Sequence, residues 1–202
     1  MRPGRGARAA AVFVAALLAP AGQAIARQEA IAKRAETCLA CHGKGGESVT
    51  ALTPSLGGQP SFFVSAQLFL FREGRRGDVP MSAFARGLSD ADLSGFAELI
   101  AKLPPPRPPG AAPDAARFAR GKALAAEHHC GSCHNADFSG GEQVPRIANQ
   151  REDFLLKALR DYRSGARIGY GNAAMGETVA GMGEADLAAL AHFLAYLPAA
   201  PR

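Results

Sequence analysis

Cysteine is scarce in this chain and narrowly confined. There are four in 202 residues, and none lies outside two pentapeptides, Cys38-Leu-Ala-Cys41-His42 and Cys130-Gly-Ser-Cys133-His134. Long apolar runs are also missing. The longest, from Ala9 to Ala19, falls well short of the roughly 20 residues a membrane-spanning helix needs, and no other segment comes close. Methionine is nearly absent too: beyond Met1 there are three, Met81, Met175 and Met182. These shortages exclude a transmembrane body. They also exclude a disulfide framework, because cysteines pairing with one another give no reason for a histidine after each pair.

The short apolar run has another use. Arg2, Arg5 and Arg8 precede it and Ala24-Ile25-Ala26 follows, which is the order of a secretory signal peptide with cleavage after Ala26. Residues 1–26 are therefore set apart from the fold. Their removal takes away three arginines and no acid, so the formal charge falls from +5 to +2. A balance so close to neutral gives no ground for nucleic-acid binding.

The two CxxCH motifs lie 92 residues apart. Two thiols three positions apart on a helical turn can add to the two vinyl groups of one haem, with the adjacent histidine ligating iron from the same face. The chain thus reads as carrying two covalently attached haem c groups, held by Cys38, Cys41, Cys130 and Cys133, with His42 and His134 on the irons. A zinc ribbon built from the same four thiols is the poorer reading, since such pairs are usually separated by about 15–20 residues and here 88 stand between Cys41 and Cys130.

Superposing one motif on the other exposes an internal repeat. Pro54-Ser-Leu-Gly-Gly-Gln59 meets Pro145-Arg-Ile-Ala-Asn-Gln150 at an offset of 91, and Phe71-Arg72-Glu73-Gly74 meets Tyr162-Arg163-Ser164-Gly165. After a three-residue insertion the offset becomes 94. There Leu88-Ser89-Asp90-Ala91-Asp92-Leu93 meets Met182-Gly183-Glu184-Ala185-Asp186-Leu187, and Met81 falls on Met175. Two of three methionines in register are candidate sixth ligands, because a soft thioether opposite histidine favours ferrous iron and raises a haem's potential. Met182 aligns with Leu88 and reads as core. His128, His129 and His192 have no matching histidine in the first copy and read as solvated or helix-end residues.

Each copy reads as helix, haem motif, loop, helix, Gly-rich irregular ligand loop, helix. The first helix is expected at about Arg27–Cys38 and Asp114–Cys130. The second is expected at Ser61–Glu73 and Glu152–Arg163, with Phe63, Gln67, Leu70 and Phe71 at helical spacing. The last starts near Ser89, whose hydroxyl can cap the turn carrying Asp92, and near Gly183 in the second copy; proline stops both. The segment from Pro104 to Pro113 holds six prolines in ten residues, which prevents a helix and favours an extended strap. The expected organisation is a signal peptide over 1–26, domains over 27–103 and 114–202, and a Pro-rich linker over 104–113, in an all-α fold.

The CLACH and CGSCH motifs, the Pro-x-Leu/Ile-x-x-Gln element after each, the Arg-x-Gly stretch and the methionine loop resemble the cytochrome c4 family, dihaem proteins of two class I cytochrome c domains. The resemblance spans essentially the whole chain after residue 26. It implies that Met81 and Met175 are the distal ligands and that the carbonyls of Pro54 and Pro145 accept the second ring N–H of the proximal histidines. The second copy departs in reading Asn172-Ala-Ala-Met175-Gly, where many members carry paired methionines. The resemblance also implies a periplasmic one-electron carrier, in some members associated with the membrane periphery. Its partners would be redox proteins: a quinol–cytochrome c reductase or a dehydrogenase as donor, an oxidase or other acceptor. The alternative of the same chemistry is a haem subunit of a larger dehydrogenase, such as a sulfide-oxidising flavocytochrome. A dihaem peroxidase would need one iron open to peroxide, and methionines in both copies argue against that.

Each half has fewer than 90 residues, small for an independent core, so the haem must supply much of it. The haem-free chain is expected to be poorly folded, with a far-ultraviolet circular dichroism spectrum well short of the holoprotein's helical signal.

Overall fold

The computed structural model describes residues 9–77, 79–167 and 172–198. The basic start of the leader, Asp78, residues 168–171 and the last four residues of the second half lie outside them. Among the described residues the chain is helical and has no strand beyond one isolated bridge between Gly141 and Val144. The first half contains α1 (Ala9–His42), α2 (Ser61–Arg72), α3 (Val79–Ala85) and α4 (Asp90–Ala101); the second contains α5 (Ala115–Glu127), α6 (Cys130–His134), α7 (Glu152–Arg163), α8 (Asn172–Val179) and α9 (Glu184–Ala195).

In both halves the last helix crosses the first and also packs on the middle one: α4 lies on α1 and α2, and α9 lies on α5 and α7. The crossing needs a small residue on one side. Gly95 in α4 faces Ile31 of α1, whereas in the second half the glycine has moved to the first helix. There a Cβ on Gly121 would come within 2.1 Å of the Ala189 carbonyl oxygen. The repeat thus keeps the close approach and exchanges which partner is small.

The two cores differ in size. In the second half Leu124, Phe138, Leu159, Leu187, Leu190 and Phe193 belong to one continuous buried cluster, with Phe193 meeting the edges of Phe118 and Phe138 at centroid distances of 5.1 and 5.7 Å. The first half has two small clusters instead, Ile31 with Ala35 and Phe96, and Val64 with Ala97 and Ile100. At about 25 cal/mol per Å² of apolar area removed from water, the first half has less protein-derived stabilisation and leans more heavily on its prosthetic group.

Three expectations are modified. The first helix does not begin at Arg27 or stop at Cys38; α1 runs unbroken from Ala9, through the expected cleavage point, to His42, so CLACH forms its last turns. In the second copy the motif is a helix of its own, because His129 adopts φ 52° between α5 and α6. The methionine stretches are not irregular: α3 and α8 are short helices carrying Met81 and Met175. Elsewhere the reading holds. Ser89 caps α4 in a full capping box with Asp92, and Gly183 starts α9 without a side-chain bond. No described helix is long and apolar enough to cross a membrane.

The Pro-rich strap is docked rather than free. Pro106 is buried, a Cβ on Gly57 would meet the Pro104 carbonyl at 2.0 Å, and the strap's far end is tied by His192. That histidine is 4% exposed; its Nε2 accepts from the Asp114 N–H at 3.0 Å and its Nδ1 faces the Glu152 carboxylate at 3.0 Å. It is a buried tether with both nitrogens occupied, not a solvated residue. His128 caps α5 and His129 is exposed.

Asp92 joins the first and last helices of the first half: it completes the Ser89 box and pairs with Arg34 of α1. The Arg34 guanidinium, followed by the Ser89 backbone N–H, holds its carboxyl at about 2, below the ordinary 3.8. A carboxyl depressed on folding contributes stability that is present above pH 3.8 and is lost as pH falls through about 2. Asp92→Asn should lower stability at neutral pH by on the order of 1 kcal/mol and flatten the acid limb between pH 4 and 2 in a denaturation series.

Candidate functional site

Each half brings its motif and its proline together by the same device. The turn carrying CxxCH ends in a buried histidine; His42 and His134 are each 5% exposed. His42 Nδ1 donates to the Pro54 carbonyl at 2.7 Å and His134 Nδ1 to the Pro145 carbonyl at 2.9 Å. A carbonyl can only accept, so the proton is on Nδ1 and the lone pair on Nε2, the form that ligates a metal. Burial pushes the His134 imidazolium down, partly offset by the Pro145 carbonyl, which keeps the ring neutral.

The cysteines fit covalent haem better than thiolate chemistry. Cys38 and Cys130 are half-buried, Cys41 and Cys133 are exposed, and none is in a disulfide. Burial pushes the Cys38 and Cys130 thiols up, a cost for a thiolate that a neutral thioether does not meet. No three His, Cys, Asp or Glu side chains among the described residues converge as a metal cluster.

Met81 and Met175 are both half-buried. The helices that carry them pack on the middle helix of their own half, α3 on α2 and α8 on α7, and Met175 lies against the second core. Met182, by contrast, is 5% exposed within that core, as its alignment with Leu88 implies. The Arg-x-Gly stretch has a function that spacing alone did not show. Arg72 Nη1 donates to the Leu88 carbonyl at 3.1 Å and pairs with Asp90; Arg163 Nη1 donates to the Met182 carbonyl at 3.0 Å and pairs with Glu184. Each arginine closes the methionine segment by fastening the residues that follow it to the end of the middle helix.

A second arginine pair also keeps the repeat offset. Arg76 lies over the Phe71 ring at 4.4 Å and Arg167 over the Tyr162 ring at 4.6 Å, and both donate to Gln67 Oε1, at 2.6 and 3.2 Å. Gln67 was legible only as one position on a helical face; its partners lie too far along the chain for spacing to reveal. Arg167 is 8% exposed, its Nε has no acceptor, and no carboxylate among the described residues pairs with it. Burying a guanidinium is costly, the Tyr162 and Asp161 side chains nearby offset that cost only in part, and haem brings two propionates.

An apolar crevice of about 580 Å³ lies beside the second motif. It is walled by Phe118, Phe138 and Phe193 and floored by Gly131 and Ser132, the two non-cysteine residues of CGSCH.

Comparison with known proteins bears on both halves. The cytochrome c family profile matches residues 118–198. The thiosulfate dehydrogenase electron acceptor of Thiomonas intermedia is 32% identical over 91% of this chain and 86% of its own length. Cytochrome c4 of Thiocapsa roseopersicina is 29% identical over 81% of this chain and 88% of its own. The crystal structure of reduced cytochrome c4 from Pseudomonas stutzeri superposes with a TM-score of 0.75 at 25% identity, covering 84% of this chain and 97% of that one.

Loss of one charge-assisted carbonyl bond, about 1.5 kcal/mol, should raise the population of the opened segment about tenfold. Arg163→Ala is therefore expected to speed amide hydrogen exchange in α8 by that factor, and Arg72→Ala to do so in α3, each leaving the other half at the parental rate.

A likeness that runs through both halves, and not only through the better-packed second one, has one explanation: this chain belongs to the cytochrome c4 family, carries two covalently bound haem c groups in two cytochrome c-like domains, and moves electrons rather than transforming a substrate.

Proposed function

We propose that Cys38, Cys41, Cys130 and Cys133 hold the haems as thioethers, that His42 and His134 are the proximal ligands, and that Met81 and Met175 close the sixth positions. The observation that carries this reading is the pair of histidine-to-proline hydrogen bonds, made by residues 92 and 91 positions apart and nearly equal in length. The haem, when bound, supplies an iron that cycles between ferric and ferrous. The chain's part is to hold both ligands through that cycle, which keeps reorganisation small, and to exclude a third. Pro54 and Pro145 orient the imidazoles and strengthen them as donors. Arg72 and Arg163 keep the methionine segments closed. Arg167 offers a buried positive partner to a propionate.

The exported location belongs to the same proposal. Cleavage after Ala26 delivers residues 27–202 to the periplasm, as the first domain over 27–103, the strap over 104–113 and the second domain over 114–202. The limits are set by the Pro-rich segment, and the packing of α1–α4 with one another and of α5–α9 with one another supports them. The donor we propose is a dehydrogenase of the thiosulfate-oxidising kind, because the Thiomonas relative is named as the electron acceptor of such an enzyme; the acceptor is an oxidase or a further cytochrome. A mixing experiment that reduces this protein with thiosulfate and its dehydrogenase would support that donor, and failure of such an enzyme to reduce it would remove it.

A spectroscopic redox titration of the holoprotein tests the ligand set. Two haems, each with a methionine–ferric charge-transfer band, are expected. Met81→Ala and Met175→Ala should each abolish the band of one haem and lower that haem's potential, leaving the other in place. A band that survives either substitution means that another residue is the ligand.

A further inference from the structure

The carbonyl that receives each proximal histidine belongs to a peptide whose N–H is held by the opposite half. The Pro54 carbonyl and the Ser55 N–H are the two ends of one planar peptide group. The carbonyl accepts His42 Nδ1–H at 2.7 Å, and the N–H donates to Gln150 Oε1 at 2.7 Å. The Pro145–Arg146 peptide repeats this: its carbonyl accepts from His134 at 2.9 Å and its N–H donates to Gln59 Oε1 at 3.1 Å. Each glutamine also donates back, Gln150 Nε2 to the Ser55 carbonyl and Gln59 Nε2 to the Arg146 carbonyl, both at 2.8 Å. Gln59 and Gln150 occupy equivalent places in the repeat, as do Ser55 and Arg146, so a single contact is made twice, with the roles of the halves exchanged. The orientation of each amide is settled by its partners, since a backbone N–H can be met only by the oxygen.

These bonds are shielded from water: Ser55 is 2%, Gln150 4% and Gln59 6% exposed. In such surroundings hydrogen bonds polarise one another along a chain. A peptide whose N–H is engaged carries more negative charge on its oxygen and accepts more strongly. A stronger acceptor draws the Nδ1 proton, makes the imidazole a better donor through Nε2, and stabilises ferric over ferrous iron. We propose that Gln59 and Gln150 are positioning residues acting across the interface, each setting the donor strength of the proximal histidine in the other half and so lowering the potential of that haem. The proposal rests on His42 and His134 being the proximal ligands.

The crossing of the effect is what separates this role from local packing. In the holoprotein, Gln150→Leu should raise the potential of the haem bound at His42 and leave that at His134 near the parental value; Gln59→Leu should do the reverse. The potentials are followed through the hyperfine-shifted haem methyl resonances, assigned to a half by their nuclear Overhauser contacts, and the Nδ1–H resonance of the opposite histidine should move with them. Gln150→Leu leaves the buried Ser55 N–H and carbonyl unpartnered, so Gln150→Glu is made beside it. That side chain keeps the acceptor and adds negative charge, and should move the potential at His42 in the opposite direction, downward. A shift confined to the mutated residue's own half, equal shifts at both haems, or no shift in either substitution overturns the proposal. A parental spectrum without histidine–methionine signals would instead defeat the ligand assignment on which it rests.

Discussion

The bond from each histidine Nδ1 to a proline carbonyl is the constraint around which the two halves are arranged. It selects the tautomer, fixes the ring plane and leaves the lone pair on Nε2. To make it, the chain after each motif must turn back on itself and present a carbonyl, and proline suits that place because it has no N–H of its own to satisfy. The loop that presents the carbonyl is itself held from outside. The strap covers it in the first half through Pro104 and Gly57, and glutamines reach it from the opposite half. Ligand geometry, linker and interface therefore depend on one another.

The same economy governs stability. Both halves are small, and the first has the fewer clustered apolar side chains. The structure responds with polar fastenings where a larger domain would use hydrocarbon. A capping box and arginine–carbonyl bonds close the ends of helices, and His192 ties strap to helix with both ring nitrogens. Buried polar groups are tolerable because they are paired. Arg167 is a partial exception: its Nη2 donates to Gln67 while its Nε has no acceptor, the place that the proposed propionate contact would fill.

Much of this was legible beforehand, for reasons that differ from residue to residue. The cysteines and histidines could be read because their spacing is set by the two vinyl groups and one iron of a rigid ligand. Ser89 and Asp92 could be read because a capping box is local chemistry. The methionine helices could not. Glycine and proline there argued for irregular backbone, but packing against α2 and α7 stabilises short helices that propensity alone would not. His192 is the helix-end residue expected, in the last turn of α9, but its burial could not be read, because a lone histidine on a helix carries no mark of what tertiary packing will place against it. The break at His129 was equally hidden: a left-handed residue between α5 and α6 leaves little trace when its side chain is not glycine.

The amino-acid order by itself determined the number of haem sites, the duplication and the pairing of candidate ligands, since all three rest on covalent spacing or on residues in register. Tertiary structure decided which residues of one half touch the other. Gln59 and Gln150 stood in the sequence as matching members of a repeated element, and nothing local could say that each would bind the other's peptide, because an amide side chain finds its partners only when two distant loops are brought together and dried. The same holds for Arg76 and Arg167 meeting on Gln67. Contacts across an interface are selected by the shape and burial of surfaces that exist only after both halves have folded.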